Sequence, residues 1–166
     1  GGSAVVNAMV ALPGQPDDYD GGERDWGCAG WSWGDVEPWF RRVLVPSRPP
    51  STDELGPVNR ALLSAHGSAA LAELTRTAGG RRTSVVDCYL DPARDRRNLV
   101  VRSGFLVHRV LLDGRRAVGV ADQSGDVVEA ATVIVAAGAI HSPALLLASG
   151  VDRPGIGANL HDHPSF

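Results

Sequence analysis

Residues 132–150 read TVIVAAGAIHSPALLLASG, and this stretch decides the fold class. Thr132–Ala136 is apolar throughout, which suits a strand buried on both faces, as in a parallel sheet. Ala137-Gly138 then supplies a small-residue turn. Ser142 as cap and Pro143 at the first helical position predict a helix through about Ser149, closed by Gly150. Strand, turn and helix in this order indicate an α/β unit. In such folds ligands bind at the carboxyl end of the strand, where small residues let the backbone come close. The helix N-terminus adds free N–H groups and a partial positive charge suited to phosphate. By itself the unit equally suits a tight turn packed for its own sake.

Upstream the pattern becomes β-rich. Asp113-Gly114 and Ser124-Gly125-Asp126 mark tight turns. They predict an antiparallel meander of Phe105–Leu112, Ala117–Asp122 and Val127–Glu129, preceded by a short strand in NLVVRS at residues 98–103. Further upstream, VNRALLSAHGSAALAELTRTAGG at residues 58–80 predicts helix, divisible at Gly67-Ser68 and stopped by Gly79-Gly80. A Pro-rich connector, VPSRPPSTDELGP, precedes it. Ser32 with Asp35 forms a capping box, and Val36, Trp39, Phe40 and Val43 recur at helical spacing. A short helix over about Trp33–Leu44 follows, with Pro38 near its first turn. Pro13-Gly14 and Gly21-Gly22 read as turns.

The chain has 166 residues, 43% of them hydrophobic, which allows one domain with a core. No apolar run reaches membrane-spanning length, and no basic region followed by a long apolar run stands at the N-terminus. A soluble cytoplasmic protein is the expectation. Net charge is −3 with both signs mixed, so no nucleic-acid surface is expected. Arg94–Arg97, RDRR, reads as a solvated turn, and every basic side chain of the Lys/Arg class is Arg. Cys28 and Cys88 read as free thiols of a reducing compartment. The Trp residues at 26, 31, 33 and 39 read as packing anchors. His161-Asp162-His163 has metal-ligand residue types, yet no partner motif accompanies it, and no metal is expected.

The chain opens with GGSAVVNAMV. Gly1, Gly2 and Ser3 could line a cofactor, with Asn7 as a hydrogen-bonding group; a disordered terminus is the alternative. Taken together, three segments resemble the glucose–methanol–choline (GMC) family of FAD-dependent oxidoreductases. Gly1, Gly2, Ser3, Val6, Asn7, Ala11, Gly14 and Asp20 fall in register with its first signature, with Ala4 departing. GAIHSPALLLASGV at residues 138–151 matches its second, with Asp152 departing. YLDPARDRRNLVVRSGFLVHRVLLDGRRAVGV resembles its middle section, and GIGANLHDHP its loop beneath the flavin. The match is weakest from Val45 to Thr83.

The resemblance implies a fold: a partial FAD-binding Rossmann-like domain of mixed α/β (α+β) type, with an antiparallel meander and part of a substrate cap. It implies a single incomplete FAD-binding domain over residues 1–166, with residues 45–83 as a cap-related helical insertion. It implies FAD as cofactor, bound by Ser3, Asn7, Ala8, Met9 and Val10 at the flavin and pyrophosphate, Val107 at the adenine, and Ala137 and Gly138 at the ADP part. Asn159, Asp162 and His163 would belong to the flavin loop. Some relatives attach FAD covalently through a His just before the motif Asn; Val6 stands there, so FAD would be held non-covalently. The implied reaction is oxidation of a small-molecule alcohol by hydride transfer to the flavin.

The family's opening dinucleotide turn and its C-terminal section with the catalytic His have no counterpart in these residues. None of His66, His108, His141, His161 or His163 matches that His, and no catalytic residue is assigned. The chain is therefore expected to be an internal segment of a larger enzyme, inactive and poorly packed alone. The alternatives are a split or degenerate subunit completed by another polypeptide, and a small α/β nucleotide-binding module.

Overall fold

The structure is a computed structural model and describes residues 2–162. Gly1 and His163, both counted in the motifs above, lie outside the described residues. The chain divides into two units, Gly1–Leu99 and Val100–Phe166.

In the first unit a tight helical turn, Ser3–Val5, leads to strand β1, Val10–Ala11. Helix α1, Pro16–Trp26, follows. The Gln15 N–H donates to the Asp18 carboxylate at 2.8 Å, Pro16 occupies the first helical position, and Gly27 ends the helix with a left-handed φ of 69°. Gly21-Gly22, expected as a turn, lies inside α1. Glycine costs a helix interior about 1 kcal/mol per residue, and the caps at both ends offset it.

Helix α2, Trp33–Phe40, begins at the expected capping box: the Ser32 hydroxyl donates to Asp35 at 2.6 Å. It stops at Phe40 rather than Leu44, with Pro38 in its second turn. Asp20 of α1 accepts the Trp33 N–H at 2.8 Å. Tyr19, Trp33 and Phe40 then pack ring on ring, with centroids 5.4–5.9 Å apart.

Helix α3 covers Pro57–Ala65 only. The second half of the expected helical region instead gives strand β2, Glu73–Leu74, antiparallel to β1 with Val10 opposite Leu74. Leu74 also exchanges both backbone hydrogen bonds with Arg48, at 2.7 and 3.1 Å. Pairing on two sides outweighs the helical propensity of its Ala, Leu and Glu residues. A π-helical turn, Val86–Leu90, closes the unit.

The second unit carries the expected meander. Strands β3 (Val107–Asp113), β4 (Arg116–Asp122) and β5 (Val127–Glu129) form one antiparallel sheet in that order. Gly119 is required in β4, because a Cβ there would meet the Val128 carbonyl oxygen at 2.5 Å. Helix α4, Gly138–Ala148, packs on β3. Its start lies five residues before the expected one: the Ser142 hydroxyl accepts the Ala137 N–H at 3.0 Å from within the helix. Gly150 ends it with φ 77°.

Two expected strands are not formed. Residues 98–103 and residues 132–136 carry no ladder, and Ile134 is 86% exposed. A strand needs backbone partners, and none of the described strands pairs with either segment.

The cores are small. Val36 and Leu55 are buried in the first unit, Val110 and Ala121 in the second, with Thr83 and Ser84 as buried polar residues. Cys28 and Cys88 are free. No helix of the described residues is long and apolar enough to cross a membrane.

Ser149 clips α4 to β3. Its hydroxyl accepts the N–H of buried Val110 at 2.8 Å and donates to the Leu145 carbonyl at 2.6 Å. Ser149→Ala is expected to strand the Val110 N–H and cost about 1–3 kcal/mol, read by denaturant unfolding. An unchanged midpoint would show that the clip contributes nothing.

Candidate functional site

The loop at residues 3–10 is built by its own backbone and by a hairpin far away in sequence. The Val6 and Asn7 N–H groups both donate to the Ser3 carbonyl, at 3.0 and 2.8 Å. Met9 then takes φ 64°, a left-handed conformation that costs a residue with a Cβ about 1 kcal/mol. Both sides of Met9 are held. Its N–H donates to the Asn7 side-chain oxygen at 3.0 Å, and its carbonyl accepts the Thr75 N–H at 2.8 Å and the Thr75 hydroxyl at 3.2 Å. Asn side chains favour such a local turn because they mimic a backbone acceptor.

Thr75 belongs to a hairpin over residues 75–83. The Thr83 N–H donates to the Thr75 carbonyl at 2.9 Å, and the Thr77 N–H to the Arg81 carbonyl at 2.8 Å. From this hairpin the Arg82 guanidinium reaches back to the Asn7 side-chain oxygen at 2.6 Å and the Ala4 carbonyl at 3.2 Å.

An ion network braces the same hairpin. Arg48 forms a two-pronged pair with Glu54 at 2.8 Å, Arg76 meets Glu54 at 3.0 Å, and Arg48 also donates to the Thr77 carbonyl at 3.1 Å. The three side chains are only 19–27% exposed, unlike the solvated pairs that contribute little. The Arg48 hydrogen bonds, with the Ser51 N–H next, hold the Glu54 carboxyl far below the usual glutamate range. Further along, the Ser84 hydroxyl and then Arg81 hold the Asp87 carboxyl low as it caps the π-helical turn.

That turn faces the loop. An apolar hollow of about 540 Å³ is lined by Gly2, Ser3 and Ala4 on one side and Val86, Tyr89 and Leu90 on the other. Its volume is that of a small-molecule site, and π-helical turns are frequent at functional sites.

In the second unit, Ala137 and Gly138 stand at the start of α4, where Gly138 has φ 84° and a Cβ would meet open space. Asn159 is left-handed at φ 57°. Its segment packs against α4: a hollow of about 620 Å³ lies between Ala139, Ile140, Pro143 and Leu147 and residues 157–161. Val107 opens β3 and is half-buried opposite Asp122.

The expected site residues thus form two sets. Ser3, Asn7, Ala8, Met9 and Val10 share one loop of the first unit; Val107, Ala137 and Gly138 belong to the second. Neither set contains an acid: there is no Asp or Glu between residues 2 and 16, or between Glu129 and Asp152. Sequence reasoning missed Arg82 and Thr75. The local signal for Arg82 is a polar, basic run after Gly79-Gly80, which does not reveal a contact some 75 residues away, and nothing local marks Thr75, whose partner Met9 lies 66 residues away. Among the described residues no three His, Cys, Asp or Glu side chains gather as a metal site.

Residues 54–165 match the family model of the GMC oxidoreductases. The chain is 33% identical to the mitochondrial choline dehydrogenase of Homo sapiens, over 98% of its own length and 35% of that protein's. It is 33% identical to the oxygen-dependent choline dehydrogenase of Pseudomonas putida, over 98% and 38%. Among solved structures, pyridoxine 4-oxidase from Mesorbium loti superposes with a TM-score of 0.77 at 27% identity, covering 91% of this chain and 36% of that one. An FAD-dependent oxidoreductase from Chaetomium thermophilum superposes with a TM-score of 0.70 at 25% identity, covering 91% and 34%. The chain therefore spans between a third and two-fifths of the length of these relatives.

The Glu54 network makes the hairpin acid-sensitive. A carboxyl whose folded value lies below its unfolded value contributes stability that is present above the unfolded value and is lost as pH falls through the folded one. The melting temperature is expected to fall as pH drops from neutral into the acid range, and to fall less steeply in Glu54→Gln. Parallel curves for the two proteins would remove Glu54 from this account.

Proposed function

The chain belongs to the GMC oxidoreductase family, a family of flavin-dependent alcohol oxidoreductases, and from this premise we propose that it forms the FAD-binding portion of such an enzyme. The observation that carries the reading is the loop at residues 3–10. It is a motif segment held in a strained conformation by partners from a distant hairpin. Strain of this kind persists where the surrounding structure fixes it, and it clusters at ligand sites.

The donor set fits FAD. The Ser3 hydroxyl and the backbone of Asn7, Ala8, Met9 and Val10 offer hydrogen-bonding groups to the flavin and its pyrophosphate. The loop's own stretch, residues 2–16, contains no carboxylate to repel a phosphate. Ala137 and Gly138 bring small residues and the first N–H groups of α4 to the ADP part, with no acid in that first turn. Val107 would meet the adenine through its backbone. Residues 45–83 would serve as a cap-related insertion within one FAD-binding domain that takes in both units.

When bound, FAD accepts a hydride from the carbon of the alcohol. The chain's own residues orient and bind. An apolar hollow lies beside Gly2–Ala4. Val6, 79% exposed and aliphatic, has no nucleophile, so FAD is held non-covalently. We assign the proton-accepting role to no residue of this chain. The substrate class is a small alcohol; choline and pyridoxine, named by the relatives, are the first to test.

The protein is expected to quench added FAD fluorescence with saturation, and acid precipitation is expected to release all bound flavin into the supernatant. No saturable binding would refute the FAD reading. Flavin retained in the pellet would refute the non-covalent one.

A further inference from the structure

We propose that Arg82 is the positioning residue of the cofactor loop: it sets the conformation of residues 3–10 and through it the affinity for FAD. The second half of this statement rests on the reading given above. Arg82 lies outside every motif segment, yet it is the one side chain that joins the two ends of the loop's first turn. One guanidinium nitrogen, Nη1, donates to the Ala4 carbonyl and to the Asn7 side-chain oxygen, at 3.2 and 2.6 Å.

Its charge is used differently from that of the paired arginines. Arg24, Arg41, Arg48, Arg76, Arg81, Arg94 and Arg102 each pair with a carboxylate. Arg82 has no carboxylate within ion-pair reach among the described residues, and its half-buried side chain is directed to two neutral acceptors. A hydrogen bond with an ionised donor is roughly twice as strong as a neutral one.

The bond also decides what Asn7 can do. The Asn7 oxygen accepts from Arg82 and from the Met9 N–H, which fills its two lone pairs. The amide NH2 is thereby left as the donor for a ligand. Without Arg82 the amide is free to rotate, the Met9 N–H loses a fixed acceptor, and the left-handed turn at Met9 keeps only its Thr75 clamp.

Arg82→Met retains the apolar stem and loses the donor; Arg82→Lys retains a charged donor. Two readouts separate the inference from the FAD reading. The first is hydrogen exchange of the loop in flavin-free protein. Arg82→Met is expected to speed exchange over residues 3–10, and Arg82→Lys to leave it near the parent's. The second is FAD affinity and the absorption spectrum of bound flavin. Arg82→Met is expected to weaken binding by about tenfold or more and to shift the spectrum, and Arg82→Lys to stay within about threefold.

Equal loop exchange in Arg82→Met and parent overturns the inference. Faster exchange with unchanged affinity and spectrum overturns its link to the cofactor, as does a lowered melting temperature with an unchanged spectrum. A parent that binds no FAD refutes the functional reading, and the exchange data then decide the role of Arg82 in the loop alone.

Discussion

The structure of the candidate site depends on one residue held against its own preference. Met9 is left-handed, and a methionine at that conformation costs about 1 kcal/mol before any partner is counted. Three hydrogen bonds fix it, from one local side chain and from a threonine 66 positions away. A net hydrogen bond contributes about 0.5–1.5 kcal/mol, so three of them outweigh the strain, and any one alone only matches it. The loop therefore exists only where the hairpin at residues 75–83 is formed. The hairpin in turn is braced by the Arg48–Glu54–Arg76 network. Local strain, a remote clamp and an ion network form one chain of dependence.

That dependence matters more because the hydrophobic cores are thin. The chain exposes 12876 Å². A compact protein of this mass exposes about 7,900 Å², and two separate compact bodies of these sizes about 9,600 Å². No large side chain is fully buried, and Trp26, Ile134 and Val100 are more than four-fifths exposed. Polar clamps such as Ser149 between β3 and α4, and Arg48 with Glu54, thus hold elements that apolar burial alone would hold weakly.

What was legible in the sequence follows the range of the interaction. The Ser32–Asp35 capping box and the Asp113-Gly114 turn act over two to four residues, and the start of α2 and the β3–β4 turn formed where expected. The family resemblance was legible for a similar reason, since each motif is contiguous. The misreadings all involve distant partners or competing local ones. Residues 67–80 have helical periodicity, but Leu74 finds Val10 on one side and Arg48 on the other. Gly21-Gly22 reads as a turn until Gln15, Asp18 and Gly27 cap the helix around it. Ser142-Pro143 reads as a helix start, but the Ser142 hydroxyl turns back to Ala137 and the helix begins at Gly138. In the site itself, the motif residues of the loop were visible in sequence. Arg82 was not, because nothing in a linear pattern marks an arginine that serves an amide 75 residues earlier.

The distribution of charge agrees with the proposed FAD reading of the loop. The chain is acidic by a net −3, with acids crowded between Asp17 and Glu37. Against that background, residues 2–16 and 130–151, which hold every expected site residue but Val107, contain no carboxylate. Arg82, on the hairpin at residues 75–83, reaches the first of them with a guanidinium that no carboxylate pairs with among the described residues. At an exposed salt bridge such a charge would have little reach, because a partner and solvent cancel it. Half-buried and bonded only to neutral acceptors, it leaves a positive potential at the loop. A positive potential opposes a cationic ligand and favours a phosphate-bearing one. The same arginine can therefore shape the loop through its hydrogen bonds and bias what the loop admits through its charge.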